Sequence, residues 1–305
     1  MMRLLLWFIL VVFPFTSVAN VYPLPDQNSR LIGEVQKHIV QKGEYFQTIA
    51  KDYDVGILEL MAANPDVDPF LPKEGTLLLI PTEMLLPDVP REGVVINLAE
   101  LRLYYFPKGK QKVYVFPVGI GKIGSETPVM VTKVKSRIPN PTWTPPASIR
   151  KAHLEERGEV LPAVVKPGPD NPLGKFAIQL AYGRGSYLIH GTNQKFGIGM
   201  RVSAGCIRLS PDNIEWLFHH IAQGEKVTVI NQTVKTATEP DGRKLIEVHS
   251  PLSKSKEKQI QVVNLSKKDR KFMDQYDIDT NTVDRTIMQQ SGLPVNVGLF
   301  QSLSQ

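Results

Sequence analysis

Residues 187–209 read YLIHGTNQKFGIGMRVSAGCIRL, and the fold and the chemistry of this chain both turn on them. The apolar run Tyr187-Leu188-Ile189 predicts a strand that ends on His190. A glycine-punctuated loop follows, and sixteen residues after the histidine comes Cys206, between Gly205 and Ile207. A free thiol is mostly protonated near neutral pH, so a cysteine nucleophile needs a base to take its proton. The imidazole of His190 is the candidate. Gly191, Gly197, Gly199 and Gly205 let the backbone turn tightly and approach a substrate without interference from a Cβ. On an extended chain Arg208 shares a face with Cys206, where a guanidinium can lower the thiol pKa or grip a carboxylate. The amide of Cys206 and its neighbours are candidate oxyanion donors.

The surrounding sequence is strand-rich. Residues 94–98 and 101–106 predict a hairpin around Ala99-Glu100, and 112–118, 129–136, 174–180, 187–190 and 226–230 alternate with Gly/Pro punctuation. This predicts a mainly β catalytic domain, a sandwich or barrel, over residues 93–232. One helix interrupts it. Ser210 caps it, Pro211 and Asp212 suit its first turn, Ile214, Leu217, Phe218 and Ile221 form its core face, and Gly224 ends it. Trp216 lies off that stripe and reads as a rim or lid contact. Residues 139–172 hold eight prolines in 34 positions, including PNPTWTPP, and predict an ordered lid carrying Trp143.

Composition narrows the function classes. Among 305 residues, 36 Lys+Arg against 30 Asp+Glu give +6, without the basic stripe of a nucleic-acid binder. An apolar share of 42% and a charged share of 22% exclude wholesale disorder. A single cysteine excludes an intramolecular disulfide and a multi-cysteine zinc site. His38, His153, His219, His220 and His249 lack metal-type spacing with carboxylates, so no metal or other cofactor is expected.

The N-terminus predicts export. A short positive start, an apolar run over residues 4–15 and Ser17-Val18-Ala19 form a signal peptide, 1–19, cleaved before Asn20. Twelve apolar residues are too few for a bilayer-spanning helix, which needs about 20. No transmembrane segment is therefore expected in the mature chain. Residues 20–36 read as a linker. Residues 37–82 read as a compact α+β unit: a strand at His38-Ile39-Val40, a helix with a Phe46, Ile49, Ala50, Tyr53 stripe, a second helix over 57–63, and a strand over 76–80. Its HIVQKGE, IAKDYDV, AANPDVDPFLPKEG and LLLIP strings resemble a lysin-motif (LysM) module. That resemblance implies binding to N-acetylglucosamine-containing glycan. Residues 83–92 read as a second linker. Residues 233–305 turn polar, with helices predicted from Ser266 and over 282–290, and no assignable chemistry.

Over residues 93–232 the sequence resembles the L,D-transpeptidase catalytic domain. The resemblance rests on His190-Gly191-Thr192 and on Ser203-Ala204-Gly205-Cys206-Ile207-Arg208, with Ala204 where many members carry His. It implies Cys206 as nucleophile, His190 as general acid/base and the Gly191 carbonyl as the group orienting the imidazole. Arg208, Ser203, Gly205, Thr192, Trp143 and Tyr187 are the expected binding or supporting residues. The NPLGKF, PNPTWTPP and GIGMRVS strings, with the preceding module, resemble the periplasmic Gram-negative subgroup. The implied partners are peptidoglycan and an outer-membrane lipoprotein with a C-terminal Lys. Alternatives left open are an L,D-endopeptidase or carboxypeptidase and a non-catalytic peptidoglycan-binding scaffold.

Overall fold

Strand β6 (Gly93–Asn97) and strand β7 (Arg102–Phe106) are buried along their whole length in the computed structural model, which describes residues 20–183, 186–194, 196–255 and 262–299. The expected signal peptide lies outside the described residues. Among the described residues no helix is long and apolar enough to cross a membrane.

In chain order, β1 (Asn20–Pro23), β2 (Leu31–Ile32), β3 (Gln36–Ile39), α1 (Phe46–Asp52), α2 (Ile57–Ala63), β4 (Leu77–Ile80) and β5 (Met84–Leu85) precede that hairpin. After it come β8 (Lys112–Pro117), β9 (Ile120–Gly121), β10 (Met130–Pro139), α3 (Ala147–Arg157), β11 (Phe176–Leu180) and β12 (Leu188–His190). Next are β13 (Arg201–Ser203), β14 (Ile207–Arg208), α4 (Pro211–His220) and β15 (Lys226–Ile230). The chain closes with β16 (Val234–Thr238), β17 (Lys244–Val248), α5 (Lys267–Met273), α6 (Thr280–Gln289) and β18 (Val295–Asn296). The main sheet has the order β1-β8-β7-β6-β15-β10-β11-β12-β14. The fold is mainly β, as expected.

Side-chain alternation explains why β6 and β7 are buried on both sides. Val94, Ile96, Leu103 and Tyr105 face a core shared with Ile214, Leu217 and Ile221 of and just beyond α4. Val95, Tyr104 and Phe106 face a second core built with Tyr22, Ile32, Met84 and Leu86. The two stretches read as linkers are therefore structural cover. β1 extends the sheet along β8, β2 pairs with β5, and both stretches seal a face that would otherwise expose aromatic side chains.

Two details of α4 differ from expectation. Ser210 does cap it, accepting from the Asn213 amide. It ends at His220, however, and Gly224 (φ +85°) serves the turn into β15. Trp216 is not a lid contact: it packs on Tyr114 at 4.1 Å between centroids, touches Tyr105 and Phe116, and stacks on His220 at 3.9 Å.

The β3-α1-α2-β4 unit has the expected order, with β3 and β4 antiparallel around Phe46, Ile49, Leu60, Leu78 and Ile80. The C-terminal region holds strands besides the two expected helices. β16, β17 and β18 form a sheet that packs Val234, Ile246 and Val248 on Phe272 and Val283. Where this sheet meets the rest, charges are buried. The Lys235 ammonium lies 3.1 Å from Glu100 and 2.7 Å from Glu247, and also reaches the Leu85 carbonyl. Arg102 lies 3.0 Å from Glu59 of α2, with Glu100 and Glu247 at 3.6 and 3.7 Å. Three polypeptide segments are thus clamped at one buried junction.

Candidate active site

β12 and β14 run parallel, with Ile189 opposite Ile207 and His190 opposite Arg208. Paired residues of adjacent strands point to the same face, and so do residues two apart. His190, Arg208 and Cys206, which immediately precedes β14, therefore share one face of the sheet. Ile189 and Ile207 point the other way, into the core, and hold the two strands together.

His190 is buried, and its Nδ1 donates to the Gly191 carbonyl at 2.6 Å. A carbonyl only accepts, so Nδ1 carries the proton of the neutral ring and Nε2 keeps its lone pair. Burial pushes the imidazole down to about 4, against the pull of the Gly191 carbonyl and reinforced by the Arg208 charge. Cys206 is half-buried, with Sγ 3.7 Å from the Ser186 carbonyl. Burial raises its thiol above the ordinary range, opposed by the Leu188 amide and Arg208. Both shifts favour neutral partners at rest.

Arg208 is the exposed-to-thiol charge. Burial lowers its pKa from the usual guanidinium value, and its buried Nε makes no hydrogen bond among the described residues. Such a group is costly unless an anion pairs with it. Ser203 is buried; its hydroxyl donates to the Cys206 carbonyl at 2.5 Å and accepts from the Gly205 amide at 3.2 Å. Gly205 sits at φ +105°, a conformation that only glycine adopts without strain. Tyr187 flanks that loop, its ring 3.5 Å from where a Gly205 Cβ would stand, and it packs edge-on against Tyr182.

The remaining expected residues lie further out. Thr192 is buried, accepts from the Gln194 amide at 3.0 Å, and lines a separate cavity of about 440 Å³ with Asn171, Gly174 and Asn193. Trp143 is half-exposed, and its main chain bridges to Val165 within the insertion at 2.9 and 2.8 Å.

Two supporting residues escaped the sequence reading. Thr127 is buried, donates to the Gly205 carbonyl at 2.9 Å and accepts from the Gly121 amide at 3.0 Å, which ties the cysteine loop to β9. Asn171 is fully buried; its amide donates to the Pro141 carbonyl at 2.8 Å and its oxygen accepts from Leu173, closing the base of the insertion. An isolated Thr or Asn in a loop carries no local signal of such a role. Glu100, Glu247 and His249 also bring metal-type ligand atoms within 4.8 Å of one another, a grouping that sequence spacing hid. The Lys235 ammonium supplies the positive charge there.

Known proteins match this arrangement along nearly the whole chain. The L,D-transpeptidase catalytic domain matches residues 91–229, and the L,D-transpeptidase C-terminal domain matches residues 233–297. The chain is 49% identical over 296 residues to the probable L,D-transpeptidase YcfS of Escherichia coli K12, covering 95% of this chain and 92% of that one. It is 46% identical over 302 residues to the probable L,D-transpeptidase YbiS of the same strain, covering 95% and 96%. It is 43% identical over 299 residues to the probable L,D-transpeptidase ErfK/SrfK of Salmonella typhimurium, covering 95% of each.

Proposed function

The chain belongs to the L,D-transpeptidase family, and on that premise we propose that Cys206 is its nucleophile and His190 its general acid/base. The substrate is the tetrapeptide stem of peptidoglycan, cut between the L-centre of meso-diaminopimelate and the terminal D-Ala. The observation that carries this reading is the Nδ1 bond from His190 to Gly191, which leaves Nε2 as the one ring atom able to take a proton.

Burial favours the neutral form of both groups, so proton transfer accompanies attack. Sγ adds to the stem carbonyl while its proton passes to Nε2. The resulting oxyanion is stabilised by the Cys206 amide, since Ser203 already engages that of Gly205 and the Gly119 carbonyl that of Arg208. Collapse breaks the C–N bond, the imidazolium protonates the departing D-Ala amine, and a thioester remains. An acceptor amine then attacks the thioester. Nε2 takes its proton and returns it to the thiolate as the sulfur leaves. Arg208 binds a substrate carboxylate, which supplies the partner that its buried Nε lacks.

The acceptor is the C-terminal Lys of an outer-membrane lipoprotein or the diaminopimelate of a second stem. The β-α-α-β unit serves as a LysM module that holds glycan, and the leader sends the chain to the periplasm. Mass spectrometry of the purified protein incubated with tetrapeptide stem should show an acyl adduct on Cys206. Digestion of tetrapeptide sacculi, treated with and without the lipoprotein, should show which amine was joined. An unmodified Cys206 with both the stem and a carbapenem would sink the mechanism.

A further inference from the structure

The β-α-α-β unit is joined to the active site more closely than a tethered module would be. Gly199 (φ +68°) lies directly on the N-terminus of α2: a Cβ there would stand 2.4 Å from Gly56 Cα and 2.6 Å from the Ile57 nitrogen. On its other side, the loop through Gly197 forms the wall of the Arg208 side chain. A Cβ on Gly197 (φ +102°) would stand 2.9 Å from an Arg208 guanidinium nitrogen. The loop is also fixed to β9 and the residues leading into it, through the Gly199 amide to the Val118 carbonyl and the Ile120 amide to the Met200 carbonyl. Gly119 and Arg208 exchange two 2.8 Å main-chain hydrogen bonds. A second contact locks the unit in place. Buried Asn213 of α4 donates to both carboxylate oxygens of Asp54, at 2.8 and 3.1 Å, and Asn20 donates to the Tyr53 and Asp54 carbonyls.

We propose that Asp54, Gly56 and Gly199 are positioning residues: through them the β-α-α-β unit presses the loop 197–199 onto Arg208 and sets its guanidinium beside Cys206. The proposal deepens the assignment of Arg208 to a substrate carboxylate and rests on it. Among the described residues no carboxylate pairs with Arg208 to fix its orientation, so the packing of that wall decides where its charge lies. A glycan held by the unit is then also held at a fixed distance from the thiol.

Because Cys206 is the chain's one cysteine, its alkylation reads the local charge without any need for acyl transfer. The experiment measures, on the full mature chain, the rate of alkylation by anionic iodoacetate relative to neutral iodoacetamide. A guanidinium near the thiol raises that ratio, by about threefold for a screened unit charge a few ångströms away. Arg208→Gln should abolish the rise. Asp54→Ala and Gly199→Ala should abolish at least half of it at temperatures where melts show them folded, and Asp54→Asn, which can still accept from Asn213, should keep it. The KM for tetrapeptide should rise in the first two variants with kcat less affected. A native ratio in both Asp54→Ala and Gly199→Ala overturns the proposal, as does a native ratio in Arg208→Gln. The expected ratios in a protein that never acylates Cys206 would leave the positioning intact and remove the transpeptidase mechanism instead.

Discussion

Lys235→Met tests whether the buried charge junction holds the segments together. The native ammonium is fully buried, 2.7 Å from Glu247 and 3.1 Å from Glu100. At an effective dielectric of about 20, each such pair attracts by roughly 5–6 kcal/mol, and the desolvation of the ammonium cancels several of these. Methionine fills similar volume but leaves the two carboxylates with only Arg102 and His249 beside them, so the net loss should be about 3–5 kcal/mol. At about 2–4 °C per kcal/mol for a unit of this size, the melting temperature should fall by on the order of 10 °C. The pH dependence adds a sharper check. Lys235, outweighing burial together with His249 and Arg102, holds Glu247 down to about 2, and Glu100 also lies below its usual range. Carboxylates depressed in the folded state contribute stability above their unfolded value, and that contribution is lost as pH falls from about 4.5 to 2. Without Lys235, burial dominates and raises both, so the variant should regain stability as pH falls from 7.5 towards 5. Glu59, pushed up to about 7 by burial, weakens the fold as pH rises from about 4.5 to 7, and it does so in both proteins. The quantity to follow is therefore the gap between native and variant. Calorimetric melts between pH 5 and 7.5 should show that gap narrowing at the acid end, and adding Glu247→Gln should restore part of the loss. A gap below about 2 °C at pH 7.5, or one that widens towards pH 5, would refute the reasoning.

Cys206→Ala should abolish acyl transfer while lowering stability by about 1 kcal/mol or less, because the side chain is half-buried and small; activity and a thermal melt check both. Alkylation of Cys206 by iodoacetamide should climb with pH beyond the ordinary thiol range, since burial raises the thiol, and should show no limb near 6.5, since the imidazole lies at about 4. A plateau reached by pH 7 would contradict the neutral resting pair. A chain beginning at Arg91 lacks Tyr22, Ile32, Met84 and Leu86, so it should aggregate or melt far lower than the full chain rather than act as an independent domain; a soluble, active fragment with a native-like melt would count against the covering role of residues 20–86. Trp143→Ala should cost well under the 3–5 kcal/mol of a core aromatic, because the indole is half-exposed, and should slow acylation and acceptor transfer unequally; carbapenem acylation measured beside steady-state transfer separates the two steps.

Local order was legible in the sequence. The alternation of 94–98 and 101–106 gave a hairpin, Ser210-Pro211-Asp212 gave a helix start, and the capping-box pattern at Ser266 gave another, with Asp269 closing the box. The His190 and Cys206 segments were readable for the same reason: strand ends and glycine turns are written in neighbouring residues. Periodicity reports which face of an element is apolar, but not what covers the opposite face. Val95, Tyr104 and Phe106 therefore gave no hint that residues 20–36 and 83–92 lie over them. Nothing in the sequence marked Lys235 and Glu247 for burial, because an isolated charge belongs in water. They are buried because each finds its counter-charge on another segment, Lys235 on Glu100 and Glu247 on Lys235 and Arg102. Thr127, Asn171 and the Gly56–Gly199 approach follow the same rule. The sequence by itself determined the conformation of the longer strands of residues 93–232 and of α4, and it named the candidate residues of the site. Only the tertiary structure decided which remote groups meet, since the energy of a buried charge, an orphan carbonyl or a backbone contact belongs to the pair and not to either residue.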